Sequence, residues 1–213
     1  MSLAHHPSEA VIAEYAAGTL ADGPSLVVSA HLERCGRCRA QLSMFEAVGG
    51  VLIEDLSPVE MQDDALARAL AKIERPSSPR TPPSPCAGPD GLALPAALAH
   101  RRVGPRRFVA PGTWIAPVLS NHPDGWRTYL LRAPAGVTVP HHGHHGAEFT
   151  VVLQGAFRDE TGRYGVGDFA ETDVDVEHHP TAEREDACVC LISGFGGIKA
   201  DGLLRLVQPL LGV

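Results

Sequence analysis

The chain has 213 residues, 44% hydrophobic and 5% aromatic, with a formal net charge of −7 at neutral pH. That length holds one large domain or two small ones, and no run of 18 or more apolar residues exists to cross a membrane. The negative charge argues against unaided nucleic-acid binding and makes a basic partner the better expectation.

Residues 1–75 read as helices. Ser8 caps a first helix whose apolar face carries Val11, Ile12, Tyr15 and Ala16, and Gly18 suits its C-terminal end. A second begins after Gly23-Pro24, with proline tolerated in the first turn, and carries Leu26, Val27, Ala30 and His31. A third follows Cys38 through Leu42, Phe45 and Val48 and ends at Gly49-Gly50. A fourth, Val59 to Glu74, has Leu66, Ala69, Leu70 and Ile73 as its apolar stripe. From 76 to 92 the composition shifts to proline, serine and glycine, the mark of an extended, semi-rigid linker. Cys86 within it reads as a bystander thiol.

After the linker, Arg101-Arg102-Val-Gly-Pro-Arg106-Arg107 is a basic run, best explained as a solvated turn or an intramolecular contact with an acidic face. Short strand-like runs then alternate with turns: Arg107 to Val109, Thr113 to Leu119, Trp126 to Arg132, Phe149 to Leu153 and Ala187 to Ile192. Asp124-Gly125 and Glu160-Thr-Gly162 supply turn chemistry. Many short strands of this spacing form a sandwich or barrel, so residues 93–213 are expected to be a β domain. Cys188 and Cys190 alternate along the last of these strands and face one way, as small apolar packing.

Two constellations carry chemistry. In the helical part, His31-x3-Cys35-x2-Cys38 puts His31 and Cys35 one helical turn apart, and the Cys-Gly-Arg-Cys knuckle lets two thiolates share a tetrahedral zinc. Cys38 is expected to open the third helix, whose N-terminus favours a thiolate. A fourth ligand is needed, and His5 and His6 are the candidates. In the β part, Gly136-x5-His142-x-His144-x3-Glu148-x6-Gly155 sets two imidazoles on one strand face and a carboxylate at the start of the next strand. Two imidazoles and a carboxylate suit a divalent metal such as zinc or iron(II).

The glycine-framed H-x-H-x3-E pattern resembles the first motif of the cupin family, whose members are double-sheet β-barrels that usually add a histidine from a second motif. Here that region runs from Gly162 through Gly167-Asp-Phe to His178-His179, with Gly165 where the family has proline. The knuckle with an upstream histidine resembles the zinc anti-sigma domain of bacterial regulators. Together, with His6-Pro-Ser-Glu-Ala and Tyr15-Ala-Ala-Gly-Thr-Leu20, the two motifs resemble the ChrR family over nearly the whole chain.

That resemblance implies a multidomain α + β protein: a small zinc-binding helical bundle (1–75), the linker (76–92) and a cupin jelly-roll barrel (93–213). It places the helical zinc ligands on His6, His31, Cys35 and Cys38, and the barrel ligands on His142, His144, Glu148 and His178, with His5 and His179 as adjacent alternatives. It implies a structural Zn2+ in the helices and a second divalent metal, expected to be Zn2+, in the barrel. The implied function is sequestration of an extracytoplasmic-function sigma factor, released under oxidative stress such as singlet oxygen. No residue is assigned a catalytic role, and neither direct nucleic-acid contact nor a membrane is expected. The alternative is a dioxygenase-like, metal-dependent cupin enzyme with a helical appendage. The polar N-terminus lacks the apolar core of a signal peptide, so the expected compartment is the cytoplasm, with the five cysteines reduced or metal-bound.

Overall fold

The computed structural model describes residues 3–74, 88–119 and 125–200. Its helices are α1 (Glu9–Ala17), α2 (Asp22–Leu32), α3 (Gly36–Glu54) and α4 (Ala65–Glu74). The strands are β1 (Arg102–Val103), β2 (Arg107–Ala110), β3 (Thr113–Leu119), β4 (Trp126–Ala133), β5 (His142–His144) and β6 (Glu148–Gln154). They continue as β7 (Ala156–Asp159), β8 (Gly162–Gly165), β9 (Phe169–Thr172), β10 (Thr181–Ala182), β11 (Cys188–Phe195) and β12 (Ile198–Ala200). Cys86, Asp124 and positions 76–87 of the proline-rich stretch lie outside the described residues.

The helix signals act as their chemistry dictates at α1. Ser8 accepts a hydrogen bond from the Val11 N–H at 3.3 Å, and Gly18 closes the helix in the left-handed region. Four helix boundaries differ from the sequence expectation. Helix α2 starts at Asp22 and takes Gly23-Pro24 into its first turn rather than following them. Helix α3 is capped by Cys35, not opened by Cys38, and it runs through Gly49-Gly50 to Glu54. Each glycine costs about 1 kcal/mol against alanine in a helix, but no residue that breaks the ladder follows until Pro58. Helix α4 starts at Ala65 rather than Val59, directly after Asp63 and Asp64, whose charge suits a helix N-terminus.

The main sheet has seven strands, ordered β1-β3-β4-β11-β6-β9 with β2 also on β3, and the pairings are antiparallel. A three-stranded sheet, β10-β7-β8, and the pair β12-β5 complete the barrel. Side-chain alternation splits the main sheet into two buried faces. Ile115, Tyr129, Val152, Cys188, Cys190 and Ile192 point inward and pack with Phe157, Tyr164 and Ala182 of the smaller sheet. Trp114, Ala116, Leu130, Phe149, Val151 and Leu191 point outward into a second core shared with α1 and α2. Strands β6 and β11 are buried on both sides over most of their length, which is why they read as near-continuous apolar runs.

Helix α2 lies flush on the outer face. A Cβ placed on Gly23 would sit 2.4 Å from both Ser193 Oγ and Thr128 Oγ1, so glycine alone permits this approach. At the same edge Arg101 clasps Asp22 with two hydrogen bonds, one of 2.8 Å, and Arg106 pairs with Asp90. The basic run thus makes the intramolecular acidic contact that was one of its two expected roles. Ile12, Val27 and Val28 are fully buried in the shared core. Truncating Ile12 to alanine costs about 2–5 kcal/mol, so helices and barrel stabilise one another directly.

Candidate metal centres

The first cluster joins three segments. His6 comes from the extended residues before the Ser8 cap, His31 from the last turn of α2, and Cys35 and Cys38 from the knuckle that starts α3. His6 Nδ1 lies 3.4 Å from both Cys35 Sγ and Cys38 Sγ, and His31 Nε2 lies 3.3 Å from Cys38 Sγ. With Zn–S of about 2.3 Å and Zn–N of about 2.0 Å, the edge of a tetrahedron is about 3.5 Å. The four donors therefore fit a closed S2N2 zinc shell. As the N-cap of α3, Cys35 Sγ faces the Cys38 N–H at 3.4 Å, so the helix terminus serves Cys35 rather than Cys38. His31 Nδ1–H donates to the Gly167 carbonyl at 2.7 Å, which leaves Nε2 bare toward the sulfurs.

Burial tunes these ligands. It pushes the His31 and His6 imidazoles below their ordinary value, so both are neutral donors at pH 7. The Cys38 thiol is pushed up to about 12, first by burial and then by its hydrogen bond with Cys35, so a metal must displace its proton. His5 does not join the cluster. Its ring instead stacks on Tyr164, with centroids 4.1 Å apart.

The second cluster lies inside the barrel. His142 and His144 sit two apart on β5, and both are buried. His178 comes from the segment before β10 and is bridged to His142 by paired backbone hydrogen bonds of 3.1 and 3.3 Å. His178 Nε2 lies 3.1 Å from His142 Nε2 and 3.2 Å from His144 Nε2. The edge expected for three nitrogens at about 2.0–2.1 Å from one metal is about 3.3 Å. His142 Nδ1–H donates to the Pro140 carbonyl, and His178 Nδ1–H donates to the buried Asp159 carboxylate at 3.2 Å. Each therefore presents Nε2 to the shared point. His179 is exposed, with its ring against His141.

Glu148 stands beside the triad. Its Oε2 is 3.6 Å from His144 Nδ1, and the carboxyl is hydrogen-bonded by Tyr129 and Thr150. Burial holds His142 and His144 at about 4, and the same burial raises Glu148 to about 7. The imidazoles are thus neutral ligands at pH 7, and Glu148 shares its proton with solvent near neutrality. Beside the triad lies an apolar cavity of about 150 Å3, bordered by Tyr129, Phe157, Ile192 and the two thiols. Cys188 and Cys190 sulfurs are 3.7 Å apart and pack into the barrel interior, the role expected for them.

Two acids that read in the sequence as ordinary turn residues hold ligand-bearing segments in place. Asp159 orients His178. Asp168, in the Gly167-Asp-Phe turn, accepts the backbone N–H groups of Ala4 and His5 at 2.8 and 3.1 Å.

Comparison with known proteins agrees with both halves of this architecture. Residues 102–194 match the model of the ChrR Cupin-like domain. The anti-sigma-E factor ChrR of Cereibacter sphaeroides is 40% identical over 212 residues, spanning 98% of each chain. The crystal structure of Rhodobacter sphaeroides SigE in complex with the anti-sigma ChrR superposes with a TM-score of 0.77 at 38% identity, covering 91% of this chain and 99% of that one. A likeness of this size along the full length of both partners, helices and barrel alike, leaves one conclusion: the chain belongs to the ChrR family.

Proposed function

We propose that the chain is an anti-sigma factor, acting in the cytoplasm, whose helical half sequesters an extracytoplasmic-function sigma factor. The observation that carries this reading is an apolar surface on α3 and α4. Helix α4 buries none of its residues against the described parts of the chain, and Leu66, Leu70 and Ile73 on its stripe are 69%, 50% and 78% exposed. On α3, Met44 and Ile53 are each 70% exposed. Exposed apolar helix faces of this kind are what a helix-in-groove partner buries. Residues 1–75 hold eleven acidic and six basic residues, a net charge of −5. That sign complements the basic surface a sigma factor presents to promoter DNA.

The ligand sets fit Zn2+ in the helical centre, held by His6, His31, Cys35 and Cys38, where it would supply a structural cross-link. A second Zn2+ in the barrel would be held by His142, His144 and His178, with Glu148 as the adjoining carboxylate. In this reading the barrel is the sensor, and oxidative stress such as singlet oxygen alters it and lowers the affinity of the helices for the sigma factor. Release requires unequal affinity between the two states.

Titrating the sigma factor against wild-type and Leu66→Glu/Leu70→Glu chains tests the docking face. The exposed substitutions should leave the free fold within about 0.5 kcal/mol of wild type, yet weaken binding at least about 30-fold. Unchanged affinity would move the interface elsewhere. The cavity beside the barrel histidines favours a second reading, a metal-dependent cupin enzyme. Turnover of a small molecule by the metal-loaded chain, with no sigma-factor binding, would establish that reading instead.

A further inference from the structure

The two metal centres belong to different halves of the chain, yet one continuous set of contacts connects them. It begins at His178, whose Nδ1–H donates to Asp159 Oδ2 at 3.2 Å. Asp159 Oδ1 accepts the Thr161 hydroxyl at 2.6 Å. Because Thr161 gives its one proton to that carboxylate, it accepts from the Tyr164 hydroxyl, 2.8 Å away. The Tyr164 ring stacks on His5 at 4.1 Å with an interplanar angle of 27°. His5 precedes His6, a donor of the helical cluster.

The barrel also grips the helical centre from a second side. Asp168 Oδ1 holds the backbone N–H groups of Ala4 and His5, while its Oδ2 accepts from Gly165 N at 2.9 Å. The Phe169 N–H closes on the His5 carbonyl at 3.3 Å. Two residues before Phe169, the Gly167 carbonyl fixes the His31 tautomer. Gly167 has φ 93°, and a Cβ there would lie 3.0 Å from Leu3 and 3.2 Å from Arg34, so the turn fits this contact only as glycine. The turn between β8 and β9 thus supplies outer partners for His31 and for the segment bearing His6. Such partners set ligand orientation, and losing one typically costs 10–100-fold in metal affinity.

We propose that Asp168 and the Asp159–Thr161–Tyr164 series position the helical zinc ligands, so that occupancy of the barrel centre and zinc affinity of the helical centre are linked. The inference rests on the metal reading of both clusters and gives the barrel a physical route to the sigma-binding helices. Linkage is reciprocal: whatever the barrel metal does to the helical zinc, that zinc does equally to the barrel metal. Tyr164, Thr161 and Asp168 are positioning residues that touch neither metal.

The test uses the full chain. Zinc affinity of the helical centre is read by chelator competition, and its geometry by the thiolate–Co2+ charge-transfer band after cobalt substitution. These are measured in wild type, in His144→Ala to empty the barrel, and in Thr161→Val and Tyr164→Phe to interrupt the series. Emptying the barrel should change helical zinc affinity at least about fivefold and shift the cobalt band. Thr161→Val and Tyr164→Phe should abolish that dependence while both centres still fill. Asp168→Ala should weaken helical zinc about 10–100-fold whatever the barrel holds. Should His144→Ala fail to fold, Thr161→Val, in an exposed turn, still decides the matter: a helical affinity and cobalt band identical to wild type in the loaded chain refutes the linkage. Two filled centres with affinities independent of each other refute the linkage alone. A wild-type chain that takes up no metal at one centre refutes the metal reading and the linkage with it.

Discussion

Replacing Gly23 by alanine sets two known effects against each other. Alanine in place of a helical glycine ordinarily stabilises by about 0.5–1 kcal/mol. Here the added Cβ would stand 2.4 Å from Ser193 Oγ and 2.4 Å from Thr128 Oγ1, and those hydroxyls are themselves bonded to each other at 3.1 Å in a buried site. Thr128 is β-branched and stiff at χ1, and Ser193 can turn away only by giving up its partner, so relief requires α2 to lift from the sheet or the Thr128–Ser193 bond to break. Overpacking of this kind costs about 1–3 kcal/mol, and the lost hydrogen bond about 1 kcal/mol more. The net expectation is destabilisation by about 1–3 kcal/mol, equivalent to a melting-point drop of about 2–12 °C in a chain of this size. Urea unfolding of the zinc-loaded protein, followed by tryptophan fluorescence, measures it. The double variant Gly23→Ala/Ser193→Gly removes one clashing oxygen and should recover part of the loss. If Gly23→Ala equals or exceeds wild type in stability, the flush docking of α2 on β4 and β11 is wrong.

Three further outcomes follow from the ligand geometry. Cys38→Ala should remove one zinc per chain and much of the helical circular dichroism signal of α1–α3, because metal binding supplies folding free energy in small sites; full zinc content in the variant would refute the S2N2 assignment. Zinc affinity of the helical centre should rise with pH by about tenfold per unit for the Cys38 proton, since the thiol, pushed up to about 12, is protonated in the metal-free chain across the accessible range. The His31 and His6 imidazoles, pushed below their usual range, add no proton competition near pH 7, so a pH-independent affinity would contradict thiolate ligation. His142→Ala should leave sigma-factor binding intact while blunting its release under oxidant; normal release from a chain shown to lack the barrel metal would remove the sensing role.

Local chemistry made some of this molecule legible. The Ser8 cap, the Gly18 stop and the His142-x-His144 pair depend on neighbours a few residues away, and each sits where its spacing put it. The end of α3 did not follow from Gly49-Gly50, because glycine weakens a helix without ending it unless a turn follows. Between His5 and His6, and between His178 and His179, sequence offers no distinction. The choice is tertiary: Asp168 and the Tyr164 ring hold His5 so that His6 turns to the sulfurs, and the backbone bridge to His142 turns His178 inward. The docking of helices on the barrel did leave a trace. Phe149-Thr-Val-Val-Leu153 and Cys188-Val-Cys-Leu-Ile192 lack the apolar–polar alternation of a strand with one wet face.

The most direct test of the anti-sigma reading mixes the zinc-loaded chain with the extracytoplasmic-function sigma factor of its own organism. Light scattering after size exclusion gives the stoichiometry, and run-off transcription with core polymerase gives the consequence. A one-to-one complex forms, and transcription falls in proportion to the chain added, if the chain is an anti-sigma factor. A folded, zinc-loaded chain that forms no complex and leaves transcription unchanged would contradict it.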